Sequence, residues 1–270
     1  MSAPAETTWI EPYQGYQYQP RVMTVDAAEQ ARLIELCGID PAIFGDKMDP
    51  AGFITLAIQE GVHNHIHANG TVNMVQSLVQ HRQMTLGEPL TVHGRILKVT
   101  EVPRGRVSTS ETYYCGADGQ RALTSGRDSL RPDAAKVGTR GAGEKPVTVI
   151  DEVGKLKEVA RFTLTPEGVK AYTGPHNPIH YDPEAAKRGG FRAPIIGGGQ
   201  GVRFLTAEIW RRFNPRELNL DIYFRRPIFW DDSVTVMVDE RDGQWKAIGL
   251  IKDGKVATEA RINSLEPVSR

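Results

Sequence analysis

The chain has 270 residues, with 33 Lys or Arg against 33 Asp or Glu, so its formal net charge is zero. A neutral balance argues against a nucleic-acid-binding protein, which normally carries a basic excess. No apolar run approaches the roughly 20 residues of a membrane-spanning helix, and the length favours two domains. Cys37 and Cys115 have no CxxC spacing, and no basic segment followed by an apolar one opens the chain. Both features predict a cytoplasmic protein rather than a secreted disulfide scaffold.

The first half of the chain predicts helices followed by strands. Residues 1–20 lack periodicity and are expected to form an extended lead-in. Apolar residues at helical spacing predict a helix from about residue 24 to 37, closed by Gly38, and a second from about 50 to 61. Alternating runs between about 71 and 131 predict strands. We therefore assign 21–132 to a first repeat and the Gly-, Pro- and Lys-rich residues 133–148 to a linker.

The second half, 149–270, repeats this plan. It predicts a strand, a short helix from about 166 to 172, a longer helix over 195–213, and strands at about 218–226, 233–240, 245–251 and 255–265. RQMTLGEPLTV at 82–92 aligns with RPIFWDDSVTV at 226–236, and DGQRALTSGR at 118–127 aligns with DGKVATEAR at 253–261. Two copies of one unit explain both alignments. Because helices precede antiparallel strands without βαβ alternation, the predicted class is α+β.

One stretch carries the candidate chemistry: residues 172–201 read YTGPHNPIHYDPEAAKRGGFRAPIIGGGQG. The run Asn177-Pro178-Ile179-His180, followed by Asp182-Pro183, resembles the motif of MaoC-like hydratases and dehydratases of the R-specific enoyl-CoA hydratase type. The resemblance implies a double hot-dog fold, in which each repeat wraps an antiparallel sheet around a long helix. It also implies a hydro-lyase of fatty acid metabolism that needs no cofactor and no metal. Its substrate would be an acyl-CoA or acyl-carrier-protein thioester.

The resemblance also implies roles for individual residues. In that family an Asp and a His activate one water for syn addition to an α,β-unsaturated acyl thioester, and the reverse reaction dehydrates a 3-hydroxyacyl thioester. The His role falls on His180, with Asn177 orienting the loop or holding His180. The backbone N–H of Gly198, at the start of the long helix, is expected to polarise the thioester carbonyl. Four further residues are expected to contact the substrate: Pro175, Gly197, Gly199 and Arg203.

The sequence departs from the family pattern where the catalytic Asp should stand. Pro175 occupies that position, and Gly197 replaces the His of the usual His-Gly pair. Three hypotheses follow. In the first, His176 forms an acid/base pair with His180. In the second, His180 acts alone, helped by Tyr172 or by a carboxylate of the substrate. In the third, the site binds acyl thioesters without hydrating them. Changed chemistry on a biosynthetic intermediate, such as that of an isomerase, a cyclase or another lyase, is a further alternative.

The first repeat is expected to lack a catalytic site. Its nearest counterpart to the motif runs from Cys37 to Phe44 and keeps a Gly and a Pro, but has no Asn-Pro-Ile-His. One site per chain follows. Hot-dog sheets commonly pair, so a homodimer is expected unless the two repeats supply that pairing within one chain.

Histidines and arginines outside the motif have more than one interpretation each. His63, His65 and His67 alternate as HxHxH, which on one face of a strand would suit zinc ligands. The alternatives are a surface turn before a strand, which is the commoner setting, and a place in the cleft between repeats. Arg225 and Arg226 are either a solvated strand end or a contact for the phosphates of coenzyme A. The same alternatives apply to the arginines that flank the motif and the long helix, Arg188, Arg192 and Arg203.

Overall fold

The computed structural model describes residues 8–68, 70–136, 147–175 and 177–268. Five α-helices are found in this part of the chain: α1 (Ala27–Glu35), α2 (Gly52–His63), α3 (Pro166–Thr173), α4 (Pro183–Arg188) and α5 (Gly198–Phe213). The strands of the first half are β1 (Arg21–Met23), β2 (Val72–Gln80), β3 (Leu90–Val102), β4 (Gly105–Cys115) and β5 (Arg121–Pro132). Those of the second half are β6 (Lys157–Thr163), β7 (Pro215–Phe224), β8 (Ser233–Arg241), β9 (Gln244–Lys252) and β10 (Lys255–Pro267).

All ten strands form one antiparallel sheet in the order β1-β3-β4-β5-β2-β7-β10-β9-β8-β6. Each half contributes five strands, and numbering them within each half gives the same order, 1-3-4-5-2, read from opposite ends of the sheet. The halves meet where β2 pairs with β7, with Leu78 opposite Leu220. Both residues are fully buried, because alternate residues of each strand point toward the helices. The predicted duplication is therefore visible in the topology.

The two long helices α2 and α5 pack against each other inside the sheet. Every residue of α5 from Gly199 to Trp210 is buried. A helix that is buried on all sides has to be enclosed by other elements, and here the sheet and α2 enclose it. None of the helices in the described ranges is long and apolar enough to cross a membrane.

Three predictions of local structure are wrong. Helix α5 begins at Gly198, not at 195, because Ile195 forms a bridge with Phe229 and Gly197 is the N-cap residue. HxHxH does not lie on a strand, since α2 continues through His63 and His65 has a φ of 62°. The linker over 133–148 is not among them and stays a prediction, since Ala134–Lys136 form a 3₁₀ turn and 137–146 lie outside the described residues. The strand predicted from about 218 begins earlier, at Pro215.

Candidate functional site

The motif forms a loop between α3 and α5 that its own side chains stabilise. Helix α3 ends at Gly174, whose φ of 64° suits a residue without a Cβ. Asn177 then caps a 3₁₀ turn, Pro178–His180, by accepting a hydrogen bond from the N–H of Ile179 at 3.4 Å. Asp182 caps α4, accepting from the N–H of Glu184 at 2.9 Å, as expected for an Asp before a Pro at the first helical position. Asn177 thus orients the backbone that carries His180.

The imidazole of His180 is held in one orientation by the backbone. Its Nδ1 lies 2.7 Å from the carbonyl oxygen of Ile195. Because a carbonyl only accepts, Nδ1 carries the proton and donates, and Nε2 of the neutral ring keeps its lone pair. Burial lowers the pKa of His180 below the ordinary imidazole value, and the hydrogen bond to Ile195 only partly opposes this. The ring is therefore neutral with Nε2 as its basic atom, which makes no hydrogen bond to any of the described residues.

The N-terminus of α5 lies next to this imidazole. A Cβ placed on Gly197 would lie 3.9 Å from Cε1 of His180. Gly197 is the N-cap residue and supplies no side-chain acceptor, so the first N–H groups of α5 are without a side-chain cap. Such uncapped groups, together with the helix dipole, favour a negatively charged or strongly polarised oxygen. The structure thus brings His180 and the Gly197–Gly199 segment together.

A side chain of the first repeat also reaches this helix end. A Cβ on Gly198 would lie 3.1 Å from Nδ2 of Asn73 and 3.0 Å from Cζ of Phe224, so only glycine fits here without displacing a neighbour. Asn73 accepts a hydrogen bond through Oδ1 from Nε of Arg127 at 2.5 Å. Since Nε only donates, this bond turns the amide Nδ2, a donor, toward Gly198. Sequence analysis missed Asn73 and Arg127, which lie on β2 and β5.

Two of the predicted site residues, Tyr172 and Arg203, belong to a buried polar cluster. Nε of Arg203 lies 2.6 Å from Oδ2 of Asp49, and its Nη1 donates to the hydroxyl of Tyr172 at 2.9 Å. Asp49 and Arg203 are 1% and 2% exposed, so the pair joins the two repeats in the interior. Burial raises the pKa of Tyr172 above the ordinary phenol value, and the ring stays neutral. Whether Tyr172 or Arg203 contacts substrate stays a prediction.

The other residues predicted for the motif are placed as follows. Pro175 is exposed, and its carbonyl accepts a hydrogen bond from the Tyr181 hydroxyl at 3.3 Å. His176 lies outside the described residues, so its pairing with His180 stays a prediction. Gly199 faces α2, since its Cβ would lie 2.8 Å from Oγ1 of Thr55.

The flanking arginines are mostly engaged by neighbouring side chains or backbone. Arg192 pairs with Asp231 and Asp232, and Arg225 pairs with Glu259. Arg226 donates to the carbonyl of Val256. No group of three potential metal ligands is found among the described residues, the HxHxH histidines included.

The first repeat contains a structural counterpart of the motif without its imidazole. Gly38 has a φ of 69°, and Asp40 caps a 3₁₀ turn, Pro41–Ile43, by accepting from the N–H of Ala42 at 2.9 Å. The second repeat has the same series before His180: a glycine with positive φ, an Asn that caps a 3₁₀ turn, and a proline. Ile43 takes the position of His180. The described residues therefore contain this candidate site in the second repeat and lack its imidazole in the first.

Comparison with known proteins finds a domain match in the second half of the chain. Residues 151–260 match the model of the MaoC like domain. A curated relative, 3-hydroxyacyl-thioester dehydratase X of Mycobacterium tuberculosis (strain ATCC 25618 / H37Rv), is 34% identical over 89 residues. That alignment covers 32% of this chain and 31% of the relative, so the chain matches only about a third of the relative's length.

Solved structures match over nearly the whole chain. HtdX from Mycobacterium tuberculosis superposes with a TM-score of 0.73 at 21% identity, covering 89% of this chain and 97% of that one. A second protein of Mycobacterium tuberculosis, described as a double hotdog fold, gives 0.61 at 12% identity, covering 93% and 95%. These similarities confirm the predicted fold class. The chain is therefore a double hot-dog protein, and residues 151–260 in its second half match the MaoC like domain.

Proposed function

We propose that the chain is a hydro-lyase that adds water to an enoyl thioester, or removes water from a 3-hydroxyacyl thioester. The observation that carries this proposal is the orientation of His180. With Nδ1 bound to the Ile195 carbonyl at 2.7 Å, Nε2 is a free base beside the uncapped N-terminus of α5. A curated relative is named as a 3-hydroxyacyl-thioester dehydratase, which supports the same reaction class here.

In this mechanism the thioester carbonyl accepts a hydrogen bond from the N–H of Gly198. The helix N-terminus stabilises the negative charge that develops on this oxygen as an enolate forms. Asn73, whose Nδ2 lies beside Gly198, supplies a further donor to the same oxygen. Both donors are fixed before the substrate binds, so their reorganisation costs little during the reaction.

His180 carries both proton transfers. Nε2 takes a proton from water as the hydroxyl oxygen bonds to the β-carbon, and the double-bond electrons move onto the thioester oxygen. The imidazolium then gives the proton to the α-carbon, which restores the thioester and the neutral base. Because syn addition puts both new bonds on one face of the substrate, a single imidazole can serve both steps without the missing Asp.

A second function is favoured by one observation, the proline at position 175. A site without a carboxylate there is also compatible with binding an acyl thioester without hydration, or with isomerase, cyclase or other lyase chemistry that adds no water. In the first case His180→Ala leaves function unchanged. In the second, the change abolishes activity on a substrate to which no water is added.

The setting of the proposed reaction follows from the same features. The substrate is carried on coenzyme A or on an acyl carrier protein, and the enzyme acts in the cytoplasm, which agrees with two buried cysteines that form no disulfide.

The continuous ten-stranded sheet provides within one chain the pairing that single hot-dog units obtain from a partner. A homodimer therefore remains a separate proposal, which light scattering of the purified chain tests directly.

The proposal is tested by mixing the protein with enoyl-CoAs of short and long chain and following the loss of the conjugated thioester absorbance. We expect absorbance to fall with at least one chain length, and chromatography to show the 3-hydroxyacyl-CoA. Tight acyl-CoA binding without turnover at any chain length would remove the hydratase assignment in favour of a binding function.

A further inference from the structure

One wall of a cavity in the first repeat is polar, although the corresponding face of the second repeat is apolar. The cavity has a volume of about 50 Å³, opens to solvent, and lies between α2 and the inner face of β4 and β5. Alternate residues of the two strands face it in register, with Ser108 opposite Ser129, Ser110 opposite Arg127, and Thr112 opposite Ser125. Their spacing of two residues puts all six on one face of the sheet.

The second repeat shows what the same face looks like when it only supports a helix. Its strands β9 and β10 carry Ile248, Leu250, Ala260 and Ile262, which belong to the hydrophobic core. Leu250 reaches α5, with Cδ1 3.5 Å from the Cβ position of Gly201. Hydroxyls and a guanidinium at such places cost free energy on burial unless they find partners. The polar wall of the first repeat is therefore unlike a structural core and suits a polar ligand.

Arg127 is a cation without a counter-ion in this wall. Its Nε donates to Asn73 and its Nη2 to Oγ1 of Thr71 at 3.0 Å, both neutral acceptors. Within the described residues it pairs with no carboxylate, and Nη1 makes no hydrogen bond. Burial lowers the pKa of Arg127 to about 10, so the guanidinium is still charged at neutral pH. A bound anion would satisfy both the charge and the free N–H groups.

A second donor faces the same space. Tyr18 lines the cavity and is 7% exposed, and its hydroxyl has no hydrogen-bond partner in the described part of the chain. Its ring occupies the place of a side chain on β3, because a Cβ at Gly94 would lie 2.1 Å from Cδ2 of Tyr18. Burial raises the pKa of Tyr18 to about 12, so the hydroxyl keeps its proton and can donate it to a hydrogen bond.

Acidic groups do not neutralise the cavity. Of the described residues that line it, Glu11 is the one carboxylate, and it is bound by Arg131 at 2.8 Å and by Arg106 at 3.6 Å. Glu60, which lies close enough to Tyr18 to affect its pKa, is paired with Arg21. The lining therefore presents donors and a net positive charge to whatever enters.

One side chain, Asn73, lies between the cavity wall and the candidate site. Asn73 contacts Arg127 through Oδ1, and its Nδ2 lies 3.1 Å from the Cβ position of Gly198. Asn73 therefore contacts both the guanidinium and the helix end at which the proposed mechanism places the thioester carbonyl. A neutral alkyl end would leave the cation uncompensated, whereas a carboxylate would pair with it.

We infer that this cavity selects acyl thioesters whose acyl group ends in a carboxylate, which Arg127 and Tyr18 bind. The inference rests on the proposed function, because it deepens the same site by naming its substrate class. The carboxylate accepts hydrogen bonds from Nη1 of Arg127 and from the Tyr18 hydroxyl, with the serine and threonine hydroxyls beside them. It forms no covalent bond to the protein.

The test compares two substrates that differ only at the far end of the acyl chain, trans-2-hexenoyl-CoA and trans-2-hexenedioyl-CoA. We expect the wild-type kcat/KM to favour the diacid at least about tenfold, as for a charged hydrogen bond. Arg127→Met, which keeps an unbranched stem and removes the guanidinium, should reduce that ratio at least about tenfold, mainly through KM. Tyr18→Phe, which removes one oxygen, should reduce it less. Circular dichroism checks that both variants fold.

The outcomes separate this inference from the proposed function. If the protein hydrates hexenoyl-CoA but shows no preference for the diacid, or if Arg127→Met leaves the ratio unchanged, the inference is wrong and the hydratase assignment stands. If neither thioester is turned over, the hydratase assignment fails and calorimetric titration decides for the cavity. Tighter binding of the diacid that Arg127→Met abolishes supports the inference, and equal affinities overturn it.

Discussion

A hydrogen bond to a backbone carbonyl fixes the orientation of the His180 imidazole. The Ile195 oxygen accepts from Nδ1, so the ring cannot rotate without losing a bond in a buried setting, where an unmade hydrogen bond is costly. The same burial lowers the imidazole pKa. Orientation and charge state thus both follow from where the loop places one side chain, and both favour a base at neutral pH.

The pH dependence of activity should reflect that lowered pKa. The proposed mechanism requires neutral His180, and a folded-state pKa below the ordinary value of about 6.5 keeps the ring neutral as the pH falls through that value. We therefore expect the acid limb of kcat/KM to lie below pH ~6.5. Steady-state rates from pH 4.5 to 8 measure it. An acid limb centred above pH ~7 would contradict the assignment of His180 as a buried base.

Restoring the family carboxylate should raise activity. Pro175→Asp puts an ionisable group in the exposed loop beside the motif, and a positioned acid or base commonly contributes 10²- to 10⁴-fold. We expect at least about a tenfold gain in the kcat for hydration. Pro175→Asn is the matched control, since it has nearly the same shape without the charge. Equal rates in the two variants would show that the site has been rebuilt for other chemistry.

At the scale of elements, α5 owes its close contact with α2 to glycine. A Cβ on Gly199 would lie 2.8 Å from Oγ1 of Thr55, whereas one on Gly201 would make ordinary contacts of 3.5 Å with Ile196 and Leu250. Gly199 and Gly201 lie on the same helix, two residues apart, so they form a pair with similar helix propensity and different surroundings. Comparing alanine at the two positions therefore separates the effect of side-chain packing on stability from the effect of helix propensity.

Alanine at these two positions should change stability in opposite directions. Gly199→Ala should lower the free energy of unfolding by about 1–3 kcal/mol, the usual cost of overpacking. Gly201→Ala should raise it by up to about 1 kcal/mol, because alanine favours helix over glycine. Urea titration followed by circular dichroism measures both. Similar effects from the two changes would argue against a tight contact between α2 and α5.

Much of the element pattern can be predicted from the sequence, and its errors have local causes. Alternation identifies the strands, since half of their residues are buried, and the motif identifies the loop that carries His180. The start of α5 is misplaced by three residues because Gly197 caps without a side chain and leaves no signal. HxHxH suggests a strand, yet α2 extends through His63. A period of two over five residues is too short to exclude a helix end.

The whole molecule is tied together by contacts between distant parts of the chain. Asp49 precedes α2 in the first repeat, Arg203 lies in α5 of the second, and their side chains are 2.6 Å apart and almost fully buried. The β2–β7 pairing makes one sheet of two repeats. We therefore expect the repeats to unfold together, because each buries part of its surface against the other.

Removing one charge of the buried pair should destabilise the whole chain. Asp49→Asn leaves Arg203 buried without a counter-ion, which typically costs about 3–5 kcal/mol. Glu152→Gln, which removes an exposed partner of Lys155, should cost less than about 1 kcal/mol. Urea unfolding should stay a single transition in both. A small effect of Asp49→Asn, or separate transitions for the two halves, would show that this contact does not join the repeats.

The contacts between repeats are what sequence reasoning could not supply. Duplication is visible in aligned segments, and the fold follows from it. In contrast, Asn73 and Arg127 are 54 positions apart, and Asn73 lies next to Gly198 only because of the sheet register and the packing of α5. Nothing in the local pattern of β2 or β5 distinguishes these polar residues from solvent-facing ones. The imidazole of the candidate site can therefore be predicted from the motif. The side chains of the other repeat that lie next to the site cannot be predicted from the sequence.

The central claim, that Nε2 of His180 moves the protons of hydration, is tested most directly by His180→Asn. The amide nitrogen of asparagine can replace Nδ1 as donor to the Ile195 carbonyl, so the loop is kept while the base is lost. The measurement is kcat for enoyl-CoA hydration, with the Kd for the substrate determined by titration. We predict a fall in kcat of about 10²- to 10⁴-fold with little change in Kd. Hydration at the wild-type rate would contradict the mechanism.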